Sequence, residues 1–313
     1  MKVLVTGASG FIGSQVTRQL LMLGCEVAAV AMPKDPLTRL QDIEDRLTIL
    51  RCDLTDPDMT RATLVDWEPE ICVHLAWYVE PGKYLDSHMN TAALVAGLRL
   101  IELVADAGCG HFVGAGTCFE YKWDAGWLHE DSPTEPRTLY AAAKLSLCLT
   151  GRQVATLLGM KFAWGRIFYL YGPGEDDRRV VPALLNALVS GNEFAATEGE
   201  QVRDYLHVED VASGFCTLVM QRAEGIYNIG SGIPVTMRQL MQTAGEIAGH
   251  AELIRFGAQA YRDQDPPFLC ADARKLRALG WKPRYTIRTG LEAMIEQDPR
   301  FHAAGTANYG AAS

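Results

Sequence analysis

Short apolar runs alternate with longer amphipathic stretches through the first 170 residues. The runs KVLVT (2–6), EVAAV (26–30), LTILRCDL (47–54), ICVHLA (71–76), HFVGAG (111–116) and KFAWGRIF (161–168) read as strands. Helical patterns lie between them, over 11–23, from TDPD at 55–58, over 86–107 and over 138–158. Strand and helix in this rhythm predict parallel strands joined by crossover helices, a Rossmann-type doubly wound α/β sheet. Segments apolar on both faces, such as VLV and AAV, suit strands buried under helices on either side. Beyond Tyr171 the rhythm breaks into a turn cluster (YGPGEDD), a helix, a polar hairpin-like segment and mixed short elements. This predicts a smaller α/β unit interleaved with the first. Residues 1–170 with 204–230 form the larger unit, 171–203 with 231–297 the smaller, and 298–313 a small, polar C-terminal tail.

Composition narrows the classes. The chain has 313 residues, 48% of them hydrophobic, enough for a sizeable core. A net charge of -9 with no long basic run removes the usual footprint of a nucleic-acid binder. The eight cysteines contain no C-x-x-C pair and no zinc-like Cys/His spacing. They predict no metal, no disulfide framework and a reducing cytoplasm. A strand pattern at the very start predicts no signal peptide, and no apolar run has bilayer length, so no membrane partner is expected.

Two local patterns carry chemistry. VLVTGASGFIGS places Gly7, Gly10 and Gly13 between the first strand and the first helix, with Ser9, Phe11 and Ile12 completing the turn. Gly7 permits the tight turn, Gly10 lets a pyrophosphate approach the backbone, and Gly13 lets the helix pack close to the sheet. The second strand ends at Ala31, where an Asp or Glu would read the ribose of NAD; Lys34 just beyond could pair with a 2′-phosphate, which tilts the choice of NAD or NADP slightly toward NADP. Asp53 ends the third strand, facing adenine or capping the next helix. TLYAAAKL puts Tyr140 and Lys144 four residues apart on one helix face. An ammonium beside a phenol is expected to lower its pKa from near 10 and so tune a general acid or base. A surface tyrosine and lysine would give the same spacing.

With these residues in place the chain resembles the extended short-chain dehydrogenase/reductase family, the NAD-dependent epimerase/dehydratase group. The matching elements run in order over nearly the whole chain: TGASGFIG, CDLTD, HLAW, YAAAK, YGPG, VRDYLHVEDVA, YNIGSG and LGWKP. The resemblance implies a nucleotide-diphosphate sugar as substrate, bound by the smaller unit. It implies a Thr117–Tyr140–Lys144 triad in which Thr117 bonds the sugar oxygen, Tyr140 moves the proton and Lys144 also holds the nicotinamide ribose. Leu54, Leu75 and Ala76 fall at cofactor positions. Arg203 and Arg262 match the arginines that meet the substrate phosphates, and Asn90 matches a helix asparagine of the substrate site. The family motif R-x-x-N-x-Y-G-P reads RIFYLYGP here, with Tyr169 in place of Asn, and Trp77 and Tyr78 stand where small residues are usual. The helix over 86–107 is apolar nearly all round, which suggests a second buried face, and the resemblance implies a homodimer in which it and the helix over 138–158 form a four-helix interface.

Three reactions share this scaffold: 4,6-dehydration, C4 epimerisation and reduction of a 4-keto group. Dehydratases carry acidic residues directly after the threonine, where this chain has Cys118 and Phe119; Glu120 is one place too far along. Ala31 favours a reductase, which must exchange its cofactor. The expected activity is reduction of an NDP-4-keto-6-deoxyhexose, with C4 epimerisation as the alternative. A 4,6-dehydratase or a silent dinucleotide sensor ranks below both.

Overall fold

The structure, a computed structural model, describes residues 1–123, 126–261 and 265–301. Strands run β1 (Lys2–Thr6), β2 (Glu26–Ala31), β3 (Thr48–Arg51), β4 (Ile71–His74), β5 (His111–Thr117), β6 (Trp127–Leu128), β7 (Lys161–Ile167), β8 (Tyr169–Tyr171), β9 (Phe194–Ala195), β10 (Val202–Arg203), β11 (Tyr205–His207), β12 (Gly225–Ile229), β13 (Val235–Thr236), β14 (Ile254–Arg255) and β15 (Phe268–Ala271). Helices are α1 (Phe11–Met22), α2 (Pro57–Leu64), α3 (Met89–Asp106), α4 (Leu139–Leu157), α5 (Val180–Val189), α6 (Val208–Met220), α7 (Met237–Ala248), α8 (Arg274–Ala278) and α9 (Ile287–Gln297).

Seven parallel strands form the main sheet in the order β3-β2-β1-β4-β5-β7-β12. The period of two decides which side each residue covers: Val3 and Val5 pack under α1 and α6, while Leu4 joins Leu100, Phe112 and Leu147 under α3 and α4. The chain leaves β1 toward β2 on one side and returns to β4 on the other. That reversal opens a crevice at the carboxyl ends, the place where such sheets bind ligands. A separate core of Leu184, Leu188, Leu240, Met241, Leu291 and Met294 supports the smaller unit.

Several sequence expectations change here. The segment expected to form a hairpin does not pair with itself. β9 runs parallel to β14, and β10 lies between β13 and β15, so its partners come from far along the chain. β6, inside the segment assigned to the larger unit, adds an edge strand to that second sheet beside β15. The helix expected over 86–107 starts at Met89, because the Asn90 amide bonds the Tyr84 and Ser87 carbonyls and fixes the preceding residues as turns. The tail expected from 298 starts packed: Asp298 accepts from Gly174 N at 2.9 Å, and Phe301 is buried.

The glycine turn shows why side chains are refused there. A Cβ on Gly13 would lie 2.0 Å from the Gly7 carbonyl oxygen, and one on Gly7, at φ 66, would lie 2.7 Å from Ala76 N. Both obstacles are backbone. Gly13→Ala is expected to destabilise the protein by about 1–3 kcal/mol through overpacking, read as a lower Tm in a circular-dichroism melt. An unchanged Tm would contradict this close packing of α1 on the turn.

Candidate active site

The carboxyl ends of β1, β4 and β5 converge. At the first, α1 opens at Gly10 with no side-chain cap and no acidic residue in its first turn. Its leading N–H groups are therefore available to an anion, and the turn fits a dinucleotide diphosphate. Ser9 Oγ donates to Asp35 Oδ2 at 2.6 Å, tying the loop after β2 to the turn. Ala31 is buried and Lys34 exposed. Asp53 Oδ1 accepts from Thr55 N and Oγ1 at 2.9 and 2.7 Å, so it shapes its own turn. The bonds ahead of α2 belong to Asp56, which accepts from Asp58 N and Met59 N. Leu54 and Leu75 are half-buried beside the core, and Ala76 N donates to Thr6 Oγ1 at 3.3 Å.

The end of β4 supplies a residue that sequence reasoning missed. His74 Nδ1 lies 2.8 Å from Thr6 Oγ1. Burial, helped by the Lys144 charge, pulls its pKa to about 3, so the imidazole stays neutral. Its position at the end of an apolar strand was the available signal.

At the end of β5, Thr117 N donates to Glu120 Oε1 at 2.9 Å and Thr117 Oγ1 accepts from Phe119 N at 3.3 Å. α4 brings Tyr140 and Lys144 to the same end, close enough for Thr117 to act on the Tyr140 phenol. The expectation that Lys144 lowers this pKa is not met. Burial is the largest influence and pushes the phenol well above its ordinary value; the Tyr84 phenol adds to the rise and Thr117 opposes it. Lys144 is turned elsewhere, its Nζ donating to the Ala115 carbonyl at 2.7 Å and lying 3.9 Å from the Trp77 ring centroid. Only 3% exposed, Lys144 is drawn down to about 7 by burial, with the Glu120 charge opposing.

Aromatic rings wall the pair. The Tyr84 ring meets Tyr140 edge-on at 4.9 Å and Trp77 does so at 6.5 Å. Asn90 does not open onto the cleft as expected. It is fully buried, accepting from Trp77 Nε1 at 2.8 Å and donating to the Tyr84 and Ser87 carbonyls. It holds the wall in place. Tyr78 donates its hydroxyl to Glu80 at 2.9 Å. Arg179 places its guanidinium 5.2 Å from the Tyr84 ring centroid, a contact 95 positions apart in the chain and invisible to spacing rules.

From β8, Tyr169 packs on Phe119 and Tyr205. Arg203 is buried with its guanidinium 5.3 Å from the Tyr169 ring centroid. It is ion-paired with Asp265, a partner the sequence did not suggest. Arg262 lies outside the described residues. All eight cysteines are free and buried. Among the described residues, no cluster of three His, Cys, Asp or Glu is placed to hold a metal, and no helix is long and apolar enough to cross a membrane.

This geometry has close counterparts. Residues 3–230 match the model of the NAD dependent epimerase/dehydratase family. CDP-abequose synthase of Salmonella typhimurium is 26% identical over 94% of this chain and 97% of its own length. GDP-6-deoxy-D-mannose reductase of Pseudomonas aeruginosa is 26% identical over 94% and 96%. The crystal structure of Thermus thermophilus UDP-glucose 4-epimerase in complex with NAD superposes with a TM-score of 0.85 at 26% identity, covering 97% of this chain and 100% of that one. The shared Rossmann-type sheet, the glycine turn and a family match across well over half the residues lead to one conclusion: the chain belongs to the NAD-dependent epimerase/dehydratase family.

Proposed function

We propose that the protein is an NAD(P)-dependent ketoreductase that reduces the 4-keto group of an NDP-4-keto-6-deoxyhexose. One observation carries this reading. The residues after Thr117 offer no acid or base for elimination: Cys118 is a buried thiol pushed up to about 12 by burial, Phe119 is apolar, and the Glu120 carboxylate is fully buried and paired with Arg166. The named reductase among the relatives supports it. Ala31, with no carboxylate to repel a 2′-phosphate, agrees with a cofactor that is exchanged each turnover.

The glycine turn would hold the dinucleotide diphosphate and Lys144 the nicotinamide ribose; when bound, the cofactor would supply the hydride that the ketone carbon needs. Thr117 orients the ketone oxygen. Tyr140 donates its hydroxyl proton to that oxygen as negative charge grows there. Burial suits this direction of transfer, because it keeps the phenol protonated in the free enzyme. Trp77 and Tyr84 exclude water from the reacting atoms. Arg203, with Arg262, meets the sugar diphosphate through paired charge-assisted bonds.

The similarity to a UDP-glucose 4-epimerase structure favours C4 epimerisation as the second reading. Exposed apolar side chains on α3 and α4, Val95 at 42% and Leu149 at 49%, support pairing of these helices with a second copy as a homodimer. Eight reduced cysteines support a cytoplasmic setting.

Mass spectrometry of the purified protein with NADPH or NADH and a panel of 4-keto nucleotide sugars decides between the reactions. A product heavier by two hydrogens is expected. An unchanged mass with altered NMR couplings would indicate the epimerase, and no turnover with either cofactor would overturn the proposal. The protonated donor has its own test. In the cofactor-free protein, phenolate absorbance of wild type minus Tyr140→Phe is expected to show Tyr140 less than half ionised at about pH 10, where a free phenol is half ionised. Substantial ionisation below that pH would contradict the donor assignment.

A further inference from the structure

Glu120 is the residue of the Thr117 turn that the proposed reaction leaves unused, and its surroundings are unusually complete. Its side chain has no solvent exposure. Oε1 accepts from Thr117 N at 2.9 Å and from Trp164 Nε1 at 3.0 Å, and Oε2 accepts from Arg166 Nε at 2.7 Å. The space around it is made by omission: a Cβ on Gly116 would lie 2.4 Å from Glu120 Oε1 and 2.1 Å from Trp164 Nε1. Three elements, β5, β7 and the turn after Thr117, are thus organised around one carboxylate.

We propose that Glu120 is a positioning residue for the reaction proposed above: its carboxylate fixes the turn that aims the Thr117 hydroxyl at the ketone oxygen. This rests on the assignment of Thr117, Tyr140 and Lys144 as the reacting set. Thr117 is held because its backbone N–H is bonded to the carboxylate while its hydroxyl caps the same turn, a reciprocal capping box around residues 117–120.

Glu120→Asp keeps the charge and shortens its reach to Thr117 N. In turnover assays it is expected to lower kcat several-fold with KM little changed. In a Thr117→Ala background the same change is expected to cost nothing further, because the residue it acts through is gone. Wild-type kcat in Glu120→Asp, or an equal loss in the Thr117→Ala background, overturns the proposal. Should Glu120→Asp fail to fold, Glu120→Gln combined with Arg166→Met, which leaves no unpaired guanidinium, is read in the same two backgrounds with the same expectation. Should the wild type reduce no keto sugar, the function proposed above fails, and the amide-proton shift of Thr117 in NMR of Glu120→Asp still reads whether the carboxylate holds the turn: an unmoved shift overturns the proposal.

Discussion

The carboxylate of Asp204 is the joint that fastens the main sheet to the four-stranded sheet. It is fully buried and accepts from Ser231 N and Oγ at 2.7 and 2.6 Å, from Gly232 N at 2.9 Å and from Ala271 N at 3.1 Å. Burial raises its pKa, and these four donors pull it back. The donors stand where the chain leaves β12 and at the end of β15, while Asp204 itself sits between β10 and β11. One acceptor therefore ties the edge of the main sheet, where the chain leaves β12, to β10 and β15 of the four-stranded sheet. Asn228 continues the seam. Its amide donates to the Leu128 and Asp272 carbonyls and its oxygen accepts from Tyr121. A seam fastened by buried, satisfied polar groups allows one arrangement of the two units, since each displacement leaves a donor or acceptor unpaired in a dry interior.

The candidate site lies along that seam, and its chemistry follows from being dry. Arg203 immediately precedes the Asp204 joint and is thereby aimed at Tyr169 and Asp265. Thr117, Tyr140 and Lys144 come from the larger unit, under the rings of Trp77 and Tyr84. Burial acts on the two ionisable members in opposite directions in pKa and the same direction in charge. It raises the phenol, lowers the ammonium, and so favours a neutral pair. A spacing of four on a helix brings the two residues near each other without deciding where the lysine points. The Ala115 carbonyl and the Trp77 face decide that.

Much of the fold was legible because the large sheet writes its pattern locally. Each strand is a short apolar run, each crossover helix an amphipathic one, and the turn after β1 needs glycines at three fixed positions. Tyr140 and Lys144 were legible for the same reason, being one helical turn apart. What stayed hidden depends on residues distant in sequence. Asn90 read as a free polar side chain on a helix; only the fold shows that Trp77 and the Tyr84 carbonyl consume its amide. Arg203 read as an arginine for the substrate phosphates; only the fold shows that Asp265, 62 positions on, lies beside it. The short strands β6, β9 and β10 carry two residues each, too few for any period to register, and their partners are equally remote.

Glu120 shows burial and sequence position pointing the same way. It lies one place beyond the acidic residues that a dehydratase carries after its threonine, and eliminating water would need it as an acid or base. To serve, it would have to exchange protons with the sugar. Its oxygens instead face a guanidinium, an indole N–H and a backbone N–H, all donors and none of them able to accept a proton from it. Reaching the sugar would strip Arg166 of its counter-charge inside the protein, and breaking a buried pair in this way costs several kcal/mol, roughly 3–5 by analogy with other buried pairs. The side chain is therefore held by the same contacts that make it useful to Thr117. Elimination has no carboxylate at this turn, while hydride transfer to a ketone needs only a proton donor and an oriented oxygen, both of which the Thr117–Tyr140 corner can provide.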